Sequence, residues 1–512
     1  MSCQGAGGAR RGSGALTPRR IPLGPRSACR GKGLTLTPDC HAAGNGPKGA
    51  VGAIRRGGAV QPDGAVDGDP RVAAVLAHLS RSEAPFSLGD HGDLAGLALG
   101  RAALIGRIDP HAPPPWWMRD AGGLNLAQAD LADARLEETD LSGANLRQAR
   151  LAGALARSAG FEGACLEEAD FAGADLSGAR FAGVAGGQAS FREAMLEDAD
   201  FSGATMRFAR LDKALLDGAR FEGADLWGTD FTGADADDSL FRRARLDEAN
   251  LSDCNLTGAD FEGASLKKAR LVGARLRGAN FTGARLDGAD LSEADFSRTS
   301  LVRLDLTACK LRHARFAGAW LEGVRLSAEQ LGGAVGEEIA GDYEAAQASY
   351  LALERNLQSI GSHEGASWAY KRGRRMGRRH AGVRAREAFS GRDLRGTLSY
   401  GYRWVADRFV EWLCDYGESL SRIARAFLIG ILLFAAAYGA TGGLFHEGEH
   451  TPTYNPLDLV SYSALNMMTA NPPEIGVKPL GRVTNLLVGL QGAAGIVLMG
   501  LFGFVLGNRL RR

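Results

Sequence analysis

A large apolar residue returns at every fifth position from Gly123 to about Leu331, and a small residue, usually alanine, stands two positions before it. The triplet Ala129-Asp130-Leu131 shows the pattern, and Ala289-Asp290-Leu291 repeats it in the same phase, with no insertion or deletion between them. The few exceptions at the large apolar position are Ala156, Gly186 and Ala236.

A period of five excludes both common regular elements. In an α-helix five residues turn through about 500°, so successive leucines would form no stripe. In a flat strand five is an odd number, so successive leucines would alternate between faces. The period fits a chain that turns a corner once per repeat, with the large side chains inside and the alanines allowing close backbone approach. Such coils stack and pair their backbones, which predicts a β-solenoid over residues 123–331.

The repeated pattern A-(D/N)-(L/F)-x-x resembles the pentapeptide repeat family. The resemblance implies a right-handed quadrilateral β-helix with four repeats per coil. About forty repeats would give about ten coils, and a coil spacing of about 4.8 Å would make the stack about 50 Å long.

The outward positions of the repeats carry charges of both signs. Arginines at these positions are Arg135, Arg150, Arg180, Arg210, Arg220, Arg245, Arg270, Arg275 and Arg285, and aspartates are Asp130, Asp170, Asp200, Asp225, Asp260 and Asp290. A surface of mixed sign does not imitate a phosphate backbone, so we do not expect the DNA mimicry known in this family. We expect a rigid rod that docks an unknown cytoplasmic protein. The net charge of +1 gives no general attraction to nucleic acid, and no nucleic-acid partner is expected.

Two segments precede the repeats. Residues 1–68 are rich in Gly, Arg, Pro and Ala without an apolar period, which predicts a disordered tail or an extension upstream of the true start. Residues 69–122 contain a helical pattern from about Pro70 to Arg81. Leu94, Leu99 and Leu104 then recur at period five in another phase, which predicts an N-terminal cap or early coil. The pair Trp116-Trp117 is expected to pack over the first coils.

The apolar period becomes helical over residues 332–425. The spacing of Tyr343, Tyr350 and Leu357 favours a helix that caps the last coil over an oligomerising coiled coil, because it lasts only two or three heptads. A basic run follows, containing Lys371, Arg372, Arg374, Arg375, Arg378 and Arg379. An aromatic helix follows that run, with Trp404, Phe409, Trp412 and Tyr416 as expected interface anchors. Together they suit the anionic cytoplasmic leaflet of a membrane better than nucleic acid.

Residues 426–512 predict an α-helical membrane domain with two spans. Ala426 to Phe445 and Asn485 to Gly507 are each apolar over about twenty residues, enough to cross a bilayer. Arginines precede the first span and follow the second, so both ends are expected in the cytoplasm. We therefore predict a multi-pass protein of a bacterial inner membrane, with the repeats cytoplasmic and residues 446–484 facing outward or re-entering.

The segment between the spans predicts a re-entrant pore helix. Leu457 to Ala470 is too short to span, and the irregular stretch after it is tolerated at membrane depth only inside protein or along a water-filled cavity. The negative end of that helix favours cations. The order span, short helix, loop, span resembles the two-transmembrane potassium-channel pore domain. The filter-like residues are Thr469, Ala470, Asn471, Pro472, Pro473 and Glu474.

The filter-like stretch departs from the potassium motif Thr-Val-Gly-Tyr-Gly-Asp. Asn471 and Pro473 replace its two glycines, and proline is locked near a φ of about −65°. We therefore predict a monovalent cation pathway that is not potassium-selective, with a non-conducting, membrane-tethered scaffold as the alternative. A pore of the type that the resemblance implies would need about four subunits around one axis, so a homotetramer is expected. The glycines of the second span fit either close helix packing or a gating bend; they include Gly492, Gly495, Gly500 and Gly503.

The remaining chemistry is sparse. His446 and His450 lie near Glu447 and Glu449, which favours a solvated loop over a metal site. The seven cysteines show no C-x-x-C spacing and are expected to be reduced thiols. Nucleotide-loop and nucleophile-elbow motifs do not occur, so we expect neither a cofactor nor an enzyme.

Overall fold

The computed structural model describes residues 69–81, 86, 93–104, 113–118, 122–446, 451–469 and 476–510. The predicted disordered segment 1–68 lies outside these residues. The helices are α1 Pro70–Arg81, α2 Arg101–Leu104, α3 Gly336–Ile339, α4 Tyr343–Ser359, α5 His363–Ser390, α6 Leu394–Cys414, α7 Leu420–Thr441, α8 Pro456–Thr469 and α9 Arg482–Leu510, with a 3₁₀ turn at Ala328–Leu331. Two short strands, β1 Leu444–His446 and β2 Val477–Pro479, pair antiparallel.

The repeats form stacked coils of twenty residues. Parallel bridges join positions twenty apart, from Asn125 with Asn145 to Asp305 with Arg325. The large residues point inward, and Phe161 stacks on Phe181 at 4.9 Å between ring centroids. Twenty residues are four repeats, so the structure confirms the β-solenoid that the period of five predicts.

The corner of each repeat explains the Asp or Asn before the large residue. The side chain of Asp130 accepts a hydrogen bond from the backbone N–H of Ala132 at 3.3 Å, and Asp140 accepts one from Ser142 at 2.9 Å. The residue three positions after this Asp or Asn, such as Asp133 after Asp130, has a φ of 55°, in the left-handed region that Gly and Asn or Asp adopt most easily. The carboxylate or amide therefore holds the turn.

The small position of the repeat also accepts side chains that can donate to the neighbouring coil. The hydroxyl of Thr229 donates to the carbonyl of Met206 at 2.8 Å, and the thiol of Cys254 donates to that of Phe231 at 2.7 Å. Burial raises the pKa of Cys254 to about 12, so its thiol stays protonated. Cys165, Cys254, Cys309 and Cys414 are all free thiols.

The stack continues N-terminal to the regular repeats. Asp93 bridges to Arg135, and Ala98 bridges to Asp140. Leu94, Leu99 and Leu104 are buried in the solenoid core, as is Trp116. Leu94, Leu99 and Leu104 differ in phase from the later repeats because residues 105–123, which do not follow the period of five, stand between the two sets.

The C-terminal end of the stack is covered by the residues that follow it. Tyr350, Leu353 and Leu357 of α4 are fully buried in the core of the solenoid. The amide of Asn356 accepts from the N–H of Val324 at 3.1 Å and donates to the Val324 carbonyl at 2.9 Å. The apolar face of α4 therefore packs against the last coil, and Asn356 forms hydrogen bonds with the open backbone edge of that coil.

Candidate membrane module

Helices α7 and α9 have the length and apolar composition of membrane spans. Each has a mean hydropathy of 1.9 over its best window, and only 22% of that window is buried inside the protein. The exposed apolar side chains include Leu428, Leu432, Leu433, Leu486, Leu490, Ile496, Val497 and Phe504. A core helix of a soluble protein would be mostly buried, so these open apolar faces fit lipid better than water.

The first apolar helix, Leu420–Thr441, begins and ends earlier in the chain than the predicted span Ala426 to Phe445. It ends at Thr441 rather than Phe445, because Gly442 turns into the left-handed region with a φ of 56°. The next residues form β1, which pairs with β2 in the register Leu444 with Pro479 and His446 with Val477. This strand pair ties the start of the connecting segment to its end.

The short helix α8 lies between α7 and α9. The hydroxyl of Ser463 donates to the Ile431 carbonyl of α7 at 2.8 Å. On the other side, a Cβ added to Gly495 of α9 would stand 2.0 Å from the Met467 carbonyl oxygen. Only glycine permits this approach, so α8 contacts α9 at backbone distance and contacts α7 through the Ser463 side chain.

A buried polar network joins the three helices. Tyr438 of α7 donates to the Gln491 side-chain oxygen of α9 at 2.6 Å, and the Gln491 amide donates to the Ser463 hydroxyl of α8 at 2.6 Å. Asn466 donates to the same Gln491 oxygen at 3.0 Å. All four side chains are fully buried, and the Asn466 side-chain oxygen has no hydrogen-bond partner in the described part of the chain.

Sequence reasoning missed this network, although a signal for it exists. Asn466 and Gln491 are uncharged polar residues within otherwise apolar segments. Polar side chains in such segments usually face a partner helix or a functional path. Their pairing could not be predicted, because twenty-five positions separate them in the sequence.

The predicted filter residues follow directly on α8. The helix ends at Thr469, and Ala470, Asn471, Pro472, Pro473 and Glu474 lie outside the described residues. The chain is described again from Gly476 and enters β2 at Val477. The filter assignment therefore stays a prediction.

The glycines of α9 fall into two groups. Gly492 and Gly495 are buried against the rest of the module. Gly500 and Gly503 are exposed, and a Cβ added to either would meet nothing within 4 Å. Close packing within one chain accounts for Gly495 but not for Gly500 or Gly503.

The basic run on α5 makes ion pairs within the protein. Arg372 and Arg379 contact the Glu338 carboxylate, which follows the solenoid, at 2.8 and 3.2 Å. Arg374 contacts Asp407 of α6 at 2.8 Å. The sequence suggests the lipid surface for these side chains, because an aromatic helix and an apolar span follow them. It shows no sign of the ion pairs, whose acidic partners lie more than thirty positions away.

A second set of ion pairs gathers around Glu411 of α6. Arg375 and Arg378 contact its carboxylate, each at 3.0 Å, and Arg408 contacts it at 3.2 Å. Burial raises the pKa of Glu411, but Arg378, Arg408 and Arg375 outweigh burial and hold it below its ordinary value. Five of the six predicted membrane-surface residues are therefore paired in the protein. Lys371 forms no ion pair with a described residue, and lipid contact by any of the six stays a prediction.

Helix α6 leaves one apolar face open. The residues of this face are Leu394, Leu398, Tyr402, Val405, Phe409 and Trp412, with exposures from 40% to 75% of their full areas. Tyr416, which the sequence suggests as an interface anchor, is instead 6% exposed. The guanidinium of Arg374 lies over its ring, 5.5 Å from the centroid.

The loop histidines give no metal centre in the described residues. His446 lies 3.2 Å from the Asp458 carboxylate, and His450, Glu447 and Glu449 fall outside the described part. Among described side chains, no group of three or more His, Cys, Asp or Glu is placed to hold a metal ion.

Comparison with known proteins assigns the repeats to a family. The sequence model described as pentapeptide repeats matches eight copies between residues 122 and 327. This chain is a pentapeptide repeat protein. The repeats of that family imply a right-handed β-helix, and helices α3 to α9 lie beyond the matched residues.

Solved structures give partial likenesses to this pentapeptide repeat protein. HetL, involved in heterocyst differentiation regulation in the cyanobacterium Nostoc sp. strain PCC 7120, is 30% identical over 40% of this chain and 87% of its own, with a TM-score of 0.33. QnrB1, a plasmid-mediated fluoroquinolone resistance protein, is 25% identical over 36% of this chain and 88% of its own, with a TM-score of 0.19. These TM-scores are too low to bear on the fold. No curated protein matches this chain.

Proposed function

We propose that this pentapeptide repeat protein is anchored in a membrane, where α7, α8 and α9 of several copies form a cation pathway that is not selective for potassium. The solenoid serves as a docking rod in the cytoplasm. The observation that carries this proposal is the position of α8, held between two span-length helices by the buried contacts of Gln491.

The length of α8 favours a re-entrant element. Its 14 residues extend about 21 Å at 1.5 Å per residue, which is shorter than the hydrocarbon core of about 30 Å. A helix of this length that packs against two spans must enter and leave on the same side. The backbone after Thr469 then needs partners from protein or water, which a pore lining supplies.

The charge pattern favours cations. The C-terminal end of α8 carries the negative end of the helix dipole, and Glu474 follows five positions after Thr469. Pro473 cannot adopt the backbone that a glycine-based carbonyl ring requires. We therefore expect cations to pass with little preference between potassium and sodium.

One chain does not enclose a pathway, so the proposal needs several copies. The open faces at Gly500 and Gly503 allow another helix to approach α9 closely. A ring of four copies would give each α8 the same position around one axis.

Purified full-length protein reconstituted in liposomes tests the pathway. We expect cation currents with similar potassium and sodium permeability, and we expect Glu474→Gln to lower them severalfold because it removes one carboxylate per copy at the mouth. Glu447→Gln is the matched control, since it makes the same charge change in the loop before α8.

Two results would contradict parts of this proposal. Strong potassium preference would overturn the predicted selectivity. Tetramers that carry no current would favour the second function, a non-conducting scaffold. The observation that supports a scaffold is the pair of ion pairs that fix Glu338, beside the solenoid, to α5.

A further inference from the structure

One face of the solenoid carries exposed apolar side chains in stacked positions. Leu155, Asp175, Met195, Leu215 and Asp235 follow one another in adjacent coils through parallel bridges. Leu155, Met195 and Leu215, here called the apolar face, are 41%, 36% and 42% exposed. In the same coils, the outward positions of the next face are Arg180, Asp200 and Arg220. Large apolar residues are therefore not a general feature of outward positions.

A strip of carboxylates borders the apolar face. This acidic edge consists of Glu197, Asp198, Asp217, Asp237 and Asp238 in the turns beside the face, together with Asp235, which stands next to Leu215 in the face itself. The turns that hold it are stacked, since the N–H of Asp198 donates to the Asp217 carbonyl at 2.9 Å and that of Gly218 donates to the Asp237 carbonyl at 3.0 Å. Six acidic side chains therefore lie on three consecutive coils.

The acidic edge lacks compensating cations within the described residues. None of its six carboxylates forms an ion pair with a described basic side chain, whereas the opposite border of the same face is balanced. There Arg192 contacts Asp212 at 3.3 Å, and Lys213 contacts Glu193 at 3.4 Å. The imbalance is thus local to one border.

The uncompensated charges act on one another. One carboxylate oxygen of Asp237 is buried without a hydrogen-bond partner. Burial raises the pKa of Asp237, and the neighbouring Asp238, Asp217 and Asp235 raise it further. A cation placed against this border would relieve the repulsion.

We propose that the apolar face and the acidic edge together bind a basic, amphipathic segment of a partner protein. Apolar side chains of that segment cover Leu155, Met195 and Leu215, and its lysines or arginines meet the acidic edge. The charge complementarity selects this occupant, because an acidic or purely apolar segment would leave the carboxylates unpaired. This inference rests on the proposed docking role of the solenoid.

Binding of a defined peptide to the full chain in nanodiscs of zwitterionic lipid tests the inference. The probe is a fluorescent helical peptide of about fourteen lysines and leucines with its leucines on one face. One comparison peptide has serine in place of every leucine, and the other has glutamate in place of every lysine. Nanodiscs without protein measure how much peptide binds to lipid alone. We expect the lysine–leucine peptide to bind at least tenfold more tightly than either comparison peptide.

Substitutions locate the binding site. We expect Leu215→Asn to weaken binding at least tenfold, and Asp217→Asn with Asp237→Asn to weaken it and to flatten its dependence on salt. Asn already occupies the matching outward position at residue 255, so Leu215→Asn should fold normally. Trp320→Asn is the control, since it removes an apolar residue that is 62% exposed on another face.

Several outcomes would overturn the inference. The inference fails if Trp320→Asn weakens peptide binding as much as Leu215→Asn does, if the glutamate peptide binds as tightly as the lysine–leucine peptide, or if neither binds. It also fails if the chain associates with itself and Leu215→Asn abolishes that association, because the occupant would then be a second copy. Because no current is measured, failure here is distinct from failure of the proposed cation pathway.

Discussion

The carboxylate of Glu337 satisfies two backbone N–H groups of the last coil at the end of the solenoid. Its Oε1 accepts hydrogen bonds from the N–H groups of Phe316 and Ala317 at 2.8 and 2.9 Å and from the Ser349 hydroxyl at 2.6 Å. Its Oε2 is buried without a described partner. Burial raises the pKa of Glu337, and the hydrogen bonds oppose that rise only in part.

The raised pKa predicts how Glu337 affects stability with pH. The folded protein binds this proton more tightly than the unfolded chain does, so the stabilisation is fully present below the ordinary value of 4.5. It declines as pH rises from that value through the raised pKa. We expect Glu337→Gln, which keeps an acceptor for both N–H groups, to remove this decline. Thermal unfolding followed by circular dichroism from pH 4 to 8 measures it.

Shortening the side chain of residue 337 removes the hydrogen-bond acceptor as well as the charge, so it measures what the acceptor contributes to stability. Glu337→Ala leaves two buried N–H groups without an acceptor, at a cost of about 1–3 kcal/mol each. We expect a lower melting temperature at every pH. Identical pH profiles for the native protein and Glu337→Gln would show that the carboxyl titrates alike in the folded and unfolded states.

At the scale of elements, the membrane module predicts unequal effects for two glycines of one helix. Gly495→Ala would push a methyl group into the Met467 carbonyl, so α8 and α9 must separate. Gly500→Ala meets open space in a single chain. We expect Gly495→Ala to increase protease cleavage between α8 and α9 in lipid, and Gly500→Ala to leave it unchanged. The opposite order would contradict the placement of α8.

The open face of α6 predicts contact with lipid. Tyr402 and Leu398 are 75% and 74% exposed, and α6 immediately precedes the first apolar helix. We expect a photo-crosslinking residue at position 402 to label lipid in nanodiscs, whereas one at Phe208 on the solenoid does not. Adducts between protein chains would contradict this. They would favour a coiled coil instead, because residues 398, 402, 405 and 409 follow heptad spacing.

The sequence predicts elements wherever local spacing decides them. Every fifth side chain of the solenoid is buried, so the period alone indicates the coil, and α8 begins and ends within one residue of its prediction. The end of α7 was predicted four residues too late, because β1 pairs with a strand more than thirty positions away. The partners of Gln491 and of the basic run escaped prediction for the same reason, since no local pattern encodes them.

At the scale of the whole molecule, ion pairs and one hydrogen bond connect the end of the solenoid, through α5 and α6, to the first apolar helix. Glu338 beside the last coil holds Arg372 of α5, and Arg375 of the same helix holds Glu411 of α6. Arg422 of α7 then donates to the Glu411 carbonyl at 2.6 Å. These contacts connect the solenoid to α7 through the carboxylates of Glu338 and Glu411, which are 7% and 9% exposed.

The centre of this path is Glu411, so its neutralisation should loosen the rod from the membrane module. Glu411→Gln leaves three arginines around a neutral group. The cost should fall below the value of about 3–5 kcal/mol for a fully buried pair, because Arg375 and Arg408 are partly exposed. We expect the distance distribution between spin labels on the solenoid and on α7 to broaden. Because the pKa of Glu411 is lowered, the native protein should show the same broadening only when pH falls well below 4.5. Asp305→Asn, which breaks an exposed pair with Arg325 at 3.2 Å, is the matched control and should change nothing. Equal distributions for Glu411→Gln and the native protein would mean that apolar packing, and not this charge cluster, fixes the rod.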